Sequence, residues 1–225
     1  MKIQIEEKIL SENDKLALEN RKLLAQHNVY SFNIISSPGS GKTSILETFL
    51  TELPKHHRVF VLIGDVQTEN DAMRIIKAGY KARQIITGGA CHLTAKVIGR
   101  HLNELDLHEL DMLVIENVGN LVCPAAYDLG EDDKVVVLSV TEGEDKPLKY
   151  PSIFSKASLM LLHKIDLLPY LKFDKQKAIE CAKALNSHLH IIETSCFSGQ
   201  GFKEFIAWIS SKFQEKKARV KNYSD

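Results

Sequence analysis

The chain has 225 residues, of which 44% are hydrophobic and 26% charged, a composition typical of a folded globular protein rather than a disordered one. The 29 basic side chains balance the 29 acidic ones, which excludes the overall positive field that attracts nucleic acid or an anionic membrane. The N-terminal MKIQIEEKIL contains no apolar run of the length that a secretory signal or a membrane span requires. We therefore expect a cytoplasmic protein with no membrane and no nucleic-acid partner.

Residues 4–27 predict a helix, because Ile9, Leu16 and Leu23 recur at heptad spacing between charged residues. Three such positions are compatible with a dimer seam or with a helix that lies on its own domain, and we favour the second interpretation. Beyond this helix, short apolar runs alternate with helical patterns. The predicted strands are 29–35, 58–64, 82–87, 112–116, 134–140, 158–164 and 188–194, and the predicted helices are 42–52, 69–78, 92–104, 174–186 and 201–215.

Several of the predicted strands are apolar on both faces, as expected of strands that helices cover on each side. The pattern predicts an α/β fold, a mainly parallel β-sheet with helices on both faces plus the N-terminal helix. We divide the chain into an N-terminal helix packed on the domain (1–28), one domain (29–216) and a flexible, solvated tail (217–225). Ligands of such folds bind at the carboxyl ends of the strands, so functional residues are expected in the loops there.

The segment SSPGSGKT, residues 36–43, lies between a predicted strand and a predicted helix and is typical of a P-loop nucleoside triphosphatase. Its glycines let backbone N–H groups turn toward phosphate oxygens, Lys42 reaches the β- and γ-phosphates, and the Thr43 hydroxyl binds Mg²⁺. Ser36 stands where the full motif has glycine, a departure that leaves the rest of the motif intact. The predicted nucleotide contacts are Ser37, Pro38, Gly39, Ser40, Gly41, Lys42, Thr43 and Ser44.

Three acidic residues are candidates for holding Mg²⁺ or for orienting the attacking water. The apolar strand MLVIE ends at Glu116, and the strand that ends at Gly64 runs directly into Asp65. Asp71 follows six residues later and has an alternative interpretation as the cap of the next helix. We assign Lys42, Asp65, Asp71 and Glu116 to catalysis, and Thr43, Asp65 and Glu116 to Mg²⁺.

The segment His163-Lys164-Ile165-Asp166 follows a strand at the place where GTP-binding proteins carry Asn-Lys-x-Asp. A carboxylate at Asp166 accepts hydrogen bonds from N1–H and the 2-amino group of guanine, whereas adenine offers an acceptor at N1. The pattern therefore favours GTP over ATP. Lys164 is placed to lie along the base, and Ser195 and Cys196 belong to a later loop that closes over guanine from the other side.

Cys91, His92 and Cys123 lie in two loops at the same edge of the predicted sheet. Two thiolates and an imidazole suit Zn²⁺ or Ni²⁺ and disfavour Mg²⁺, but three ligands leave such a site incomplete. From spacing alone the signal is weak, because a buried cysteine is usually just a small apolar residue. Cys181 and Cys196 fit packing and the guanine loop better than metal binding.

With these residues assembled, the sequence resembles the HypB family, the GTPases that insert nickel during maturation of NiFe hydrogenases. SSPGSGKT, GDVQTENDAMRI, TGGACHLTAKVI and IENVGNLVCPA match the motifs of that family in order, over about residues 20 to 210. The related urease GTPase UreG has a Cys-Pro-His arrangement instead of Cys-His followed by a separate cysteine.

The resemblance implies a GTP-dependent homodimer with a Ni²⁺ or Zn²⁺ site at the subunit interface, built from Cys91, His92 and Cys123. It also implies that Lys149 approaches the nucleotide of the partner subunit, although a solvated loop lysine is the simpler interpretation of that residue. The implied partners are a HypA-type nickel chaperone and the precursor of the hydrogenase large subunit. Residues 1–30 contain no cysteine and only His27, so a high-affinity N-terminal nickel site is not expected.

Three other functions remain compatible with parts of the sequence. A urease-type nickel GTPase is the alternative within the same group. A small-molecule kinase also uses a phosphate-binding loop, but it needs an arginine-bearing lid, and Arg74, Arg83 and Arg100 lie in predicted helices or strands. The third is a nucleotide-gated dimerisation switch whose cysteines and histidine are structural or hold only zinc.

Overall fold

The computed structural model describes residues 2–65 and 70–221, with side chains from residue 8 to residue 219 of those ranges. Seven strands are found in this described part: β1 (Tyr30–Ser36), β2 (Val59–Asp65), β3 (Lys81–Ile86), β4 (Met112–Glu116), β5 (Asp133–Ser139), β6 (Leu159–His163) and β7 (His190–Thr194). They form one parallel sheet in the order β3-β2-β4-β1-β5-β6-β7. Their carboxyl ends therefore meet at one edge of the sheet.

Helices cover both faces of this sheet, because alternate residues of each strand point to opposite sides and both sets are apolar. The helices are α1 (Lys2–Gln26), α2 (Lys42–Glu52), α3 (Asn70–Lys77), α4 (Ala95–Leu102), α5 (Cys123–Ala126), α6 (Lys146–Lys149), α7 (Pro151–Lys156), α8 (Lys175–Leu185) and α9 (Phe202–Lys221). Phe32 and Val61 pack on one face with residues of α2, α3 and α9, whereas Leu62 and Val136 pack on the other with residues of α1, α4, α7 and α8. The predicted fold class is confirmed.

The predicted boundaries differ from the observed ones mainly where loops begin. The helix predicted from residue 92 begins at Ala95, since Thr94 is its N-cap and its side chain accepts a hydrogen bond from Val97 N. The short helices α5, α6 and α7 were not predicted, although each has proline in its first turn. They are too short to show a helical apolar period.

The flexible tail expected from residue 217 begins within the last helix. The helix α9 continues to Lys221, and residues 222–225 lie outside the described part. Just before the expected boundary, Lys216 is buried and its Nζ lies 2.7 Å from Asp132 Oδ2, beside the start of β5. This ion pair and the apolar contacts of Phe213 hold the end of the helix on the domain.

The N-terminal helix α1 packs against α4 on its own domain, and its residues Ala17 and Leu24 are buried. None of the described helices is long and apolar enough to cross a membrane.

Replacement of Gly201 by alanine is expected to cost about 3 kcal/mol or more of the free energy of unfolding. This glycine precedes α9 with φ +80°, and an added Cβ would lie 2.0 Å from the carbonyl oxygen of Glu193. Gly79→Ala is the matched control, because Gly79 has φ +89° but open space around it, so only backbone strain of about 1 kcal/mol is expected. Urea unfolding of both variants measures the difference, and equal losses would contradict the steric argument.

Candidate nucleotide and metal site

The phosphate-binding loop connects β1 to α2 and needs glycine at two positions. Gly39 and Gly41 have φ +75° and +101°, in the left-handed region that side chains disfavour. A Cβ at Gly41 would also lie 3.0 Å from the His163 ring. The loop therefore adopts its shape only with these residues, and α2 begins immediately after it at Lys42.

Lys42 is buried beneath the loop, with 8% of its surface exposed, and its Nζ donates a hydrogen bond to Ser36 Oγ at 3.1 Å. Burial lowers the pKa of Lys42, while the nearby Glu116, Asp71 and Asp65 carboxylates oppose that shift. The departure from the motif at Ser36 thus has a structural role, since the serine hydroxyl orients the lysine ammonium.

Thr43 and Glu116 join the phosphate loop to β4. The Thr43 hydroxyl donates to Glu116 Oε1 at 2.7 Å, and Glu116 Oε2 is buried with no hydrogen-bond partner. Burial raises the pKa of Glu116 to about 7, which the hydrogen bond and the Lys42 charge oppose. A hydroxyl beside a carboxylate oxygen without a partner is a suitable set of oxygen donors for Mg²⁺.

Asp65 and Asp71 flank residues 66–69, which lie outside the described part. Asp65 ends β2, and its carbonyl accepts a hydrogen bond from Thr87 N at 3.0 Å. Asp71 lies in the first turn of α3, 3.7 Å from Arg74. Arg74 in turn donates to Ser44 Oγ at 3.0 Å, so it ties α3 to the start of α2.

The loops after β6 and β7 meet beside the phosphate loop. The Ser195 hydroxyl donates to Asp166 Oδ1 at 2.5 Å and accepts from the N–H groups of Phe197 and Ser198 at 3.2 Å. Lys164 has φ +61°, and its Nζ donates to the Gly39 carbonyl at 2.8 Å. The predicted guanine-binding residues of both loops are thereby brought together at the rim of the phosphate loop.

His163 fills the space between Gly41 and β7, where the usual motif has asparagine. Its Nδ1 lies 3.0 Å from Thr194 Oγ1 and its Nε2 lies 3.6 Å from Cys196 Sγ. Burial lowers the pKa of His163 to about 4 and raises the pKa of the Cys196 thiol. Both side chains are therefore neutral near pH 7 and act as packing for the adjoining loops.

Two residues that the sequence analysis did not select also contact the phosphate loop. Glu142 Oε1 accepts from Ser40 Oγ at 2.7 Å, and Lys146 Nζ donates to Ser37 Oγ at 3.4 Å. Lys149, which was selected, is exposed at the end of the same helix and pairs with Asp145 at 2.7 Å. The charged run EGEDK directly after β5, at the ligand-binding edge, was the available signal.

Cys91, His92 and Cys123 form one cluster whose ligand atoms all lie within 4.8 Å of one another. The Cys91 and Cys123 sulfurs are 2.8 Å apart, and their hydrogen bond, together with burial, raises the pKa of Cys123. The His92 ring stacks on Tyr127 at 3.9 Å, and burial lowers the pKa of His92, which favours the neutral form that binds metals. Among the described residues, no fourth cysteine, histidine or carboxylate joins this cluster.

Asn117 connects the segment that follows His92 to β1. It follows Glu116 directly, accepts from the backbone N–H of Leu93 at 3.3 Å, and donates to Asn33 Oδ1 at 3.3 Å. Leu93 is the neighbour of His92. The sequence analysis did not select this residue, although it lies in the motif IENVGNLVCPA directly after Glu116.

Comparisons with known proteins show what this chain is similar to. Residues 31–193 match the family model described as the CobW/HypB/UreG nucleotide-binding domain. The hydrogenase maturation factor HypB of Azotobacter vinelandii is 51% identical over 207 residues, which cover 92% of this chain and 68% of that protein. Crystal structures of HypB from Helicobacter pylori, in complex with nickel, and from Archaeoglobus fulgidus superpose with TM-scores of 0.86 and 0.84 at 38% and 37% identity. They cover 91% and 90% of this chain, and this chain covers 96% and 99% of theirs.

His163→Asn is expected to make the folded protein less sensitive to mild acid. The pKa of His163 is about 4 in the folded chain and near 6.5 when unfolded, so between these values only the unfolded chain binds the proton. Stability is therefore present above pH 6.5 and lost as the pH falls toward 4, by about 3 kcal/mol for this group. Urea unfolding from pH 4.5 to 7.5 measures the slope, with exposed His188→Asn as the control. The same slope in His163→Asn and wild type would show that His163 does not cause the loss of stability in mild acid.

Proposed function

This chain belongs to the HypB family of hydrogenase maturation factors, and from that premise we propose that it is a GTP-hydrolysing nickel metallochaperone. The observation that carries the proposal is the cluster of Cys91, His92 and Cys123, because Cys123 lies only seven residues along the chain from the buried Glu116. A hydrolytic site and a soft-metal site thus share one short connection.

The nucleotide in this proposal is GTP with Mg²⁺. Lys42 and the backbone of the phosphate loop hold the phosphates, and Asp166 with Ser195 and Lys164 reads guanine. Mg²⁺, when bound, neutralises phosphate charge, and Thr43, Glu116 and Asp65 are the residues assigned to hold it. The partnerless Glu116 Oε2 supports that assignment, because a buried carboxylate oxygen needs a proton or a cation. Asp65 and Asp71 are assigned to orienting the attacking water.

Nickel is the cargo rather than a resident cofactor, and Zn²⁺ is its competitor at the same thiolate and imidazole ligands. The HypB of Helicobacter pylori was crystallised in complex with nickel, which supports this choice of metal. Three ligands from one chain leave the coordination incomplete, so we propose that a GTP-dependent homodimer supplies the rest. Lys149 is exposed, as a residue that reaches the nucleotide of a partner subunit must be.

The proposed cycle runs in the cytoplasm, where thiols stay reduced. A HypA-type chaperone delivers nickel, and hydrolysis of GTP changes the position of Glu116 and releases the metal toward the precursor of the hydrogenase large subunit. Asn117 is placed to transmit that change, since it adjoins Glu116 and holds the backbone of Leu93. Nucleotide and metal must alter the affinity of each other by the same factor.

The kinase alternative finds no support in the arginines available for a lid. Arg74 donates to Ser44 and Glu47 beneath the phosphate loop, and Arg83 pairs with Glu104 near the end of α4.

Cys123→Ala is expected to weaken nickel binding by more than about tenfold while the fold is kept, since one of the two thiolate ligands is lost. Cys181→Ala is the matched control, because Cys181 lies in α8 outside the cluster. Equilibrium dialysis of Ni²⁺ and Zn²⁺ with GDP and with a non-hydrolysable GTP analogue provides the measurement. Retention of nickel by Cys123→Ala would overturn the ligand set. Equal nickel affinity with GDP and with the GTP analogue would contradict the proposed coupling between nucleotide and metal binding.

Asp166→Asn is expected to lose about 2 kcal/mol of GTP binding free energy, because its amide cannot accept both guanine hydrogen bonds. Xanthosine triphosphate carries an acceptor in place of the 2-amino group and should bind the variant better than GTP. Competition against a fluorescent GDP tests both nucleotides, with exposed Asp14→Asn as the control. An unchanged preference for guanine would exclude Asp166 from base recognition.

A further inference from the structure

A buried asparagine of α1 bridges two distant segments of the chain. The amide nitrogen of Asn20 donates to the carbonyl of Ala95 at 2.8 Å and to the carbonyl of Leu129 at 2.9 Å. Only 5% of the surface of Asn20 is exposed, so both hydrogen bonds are shielded from water. Loss of either would remove a hydrogen bond that is shielded from water.

A second asparagine bridges the same two segments. Asn13 lies seven residues earlier, on the same face of the helix, and is 6% exposed. Its Oδ1 accepts from Ala95 N at 2.9 Å and its Nδ2 donates to the carbonyl of Asp128 at 2.8 Å. Both backbone groups of Ala95 are therefore held by α1.

The two bridged segments are those that carry the metal ligands. Ala95 begins α4 three residues after His92, and Asp128 lies two residues beyond the end of α5, whose first residue is Cys123. These two segments also contact each other directly, through the Cys91–Cys123 hydrogen bond, the stacking of His92 on Tyr127 and the 3.4 Å hydrogen bond from Asn120 to the Cys91 carbonyl. The α1 helix thus contacts both of the segments that carry the candidate metal ligands.

Two glycines allow α1 to approach this closely. A Cβ at Gly99 would lie 2.7 Å from Asn20 Oδ1, and a Cβ at Gly130, where φ is +94°, would lie 2.6 Å from the Ala17 carbonyl. Arg21 adds two hydrogen bonds of 2.8 Å to the Asp128 carboxylate. The two glycines and the Arg21 ion pair thus allow α1 to lie directly against α4 and residues 128–130.

We propose that α1 is a brace that sets the spacing between the Cys91 and His92 loop and the Cys123 helix, with Asn13 and Asn20 as positioning residues for nickel. This inference rests on the proposed nickel function. The reason is geometric, since a metal binds tightly only where its ligands are already held at bonding positions, and outer groups that orient them are worth a factor of 10 to 100 in affinity. Release of α1 frees both segments at once.

Isosteric substitutions separate the brace from simple packing. In Asn20→Asp the carboxylate only accepts hydrogen bonds, so it would face two carbonyl oxygens and both bonds are lost. Asn13→Asp keeps the acceptor for Ala95 N and loses only the bond to Asp128. Nickel affinity is therefore expected to fall in the order wild type, Asn13→Asp, Asn20→Asp, with the last weaker by roughly tenfold or more.

The measurement is a titration with Ni²⁺ alone, followed by the thiolate-to-nickel absorbance band, on the full chain. A second measurement needs no metal: dibromobimane becomes fluorescent when it bridges two neighbouring thiols, so its rate reports whether Cys91 and Cys123 stay together. Exposed Asn103→Asp, at the C-cap of α4, is the control for the same chemical change. Fluorescent GDP should bind all these variants within about twofold of wild type, since none of the substituted residues touches the nucleotide site.

The outcomes distinguish this inference from the proposed function. If Cys123→Ala loses nickel while Asn20→Asp keeps wild-type affinity and bridging rate, α1 is no brace and the nickel function stands. If Cys123→Ala keeps nickel, the proposed function fails first. Equal loss of nickel and GDP binding would indicate general unfolding and overturn the inference, unless the uncharged Asn20→Ala, which also lacks both bonds, loses nickel alone.

Discussion

The hydrogen bond between Thr43 and Glu116 is the contact on which the rest of the functional architecture depends. It is buried, 2.7 Å long, and joins the residue after the phosphate-loop lysine to the last residue of β4. Because β4 lies between β2 and β1, it places Glu116 beside the loop that follows β1. From Glu116 the chain continues through Asn117 to Cys123, so one residue of the candidate phosphate site and one of the candidate metal site belong to the same short segment.

Buried asparagine side chains fix the positions of the loops around the candidate site. Asn117 holds Leu93 and Asn33, while Asn13 and Asn20 hold Ala95 and the residues after α5. A buried amide is stable only when its donors and acceptors are paired, so each of these side chains specifies one arrangement of the loops. Apolar packing alone would allow small relative shifts of these loops, which a site with ligand atoms 4.8 Å apart or less would not tolerate.

Sequence reasoning located the fold and most of the candidate site because those features are local. A strand followed by SSPGSGKT and a helix predicts a phosphate loop wherever it occurs, and parallel strands bring their carboxyl ends together. It did not select Glu142, Lys146 or Asn117, since each makes its contacts with residues that are distant in sequence. The burial of Lys216 against Asp132 has no signal in the charged run KKARVK for a similar reason, because its partner is distant in sequence.

The sequence by itself determined the family, the α/β architecture and the identity of the phosphate, guanine and metal candidates, because these depend on short-range patterns of residue type. Only the tertiary structure decided how they are coupled. It brought Cys123 to 2.8 Å from Cys91 across 32 positions, gave Ser36 its role beside Lys42, and set α1 across both metal-bearing segments. Those contacts arise from how strands and helices stack, and distances across a stacked core leave no periodic trace in the chain.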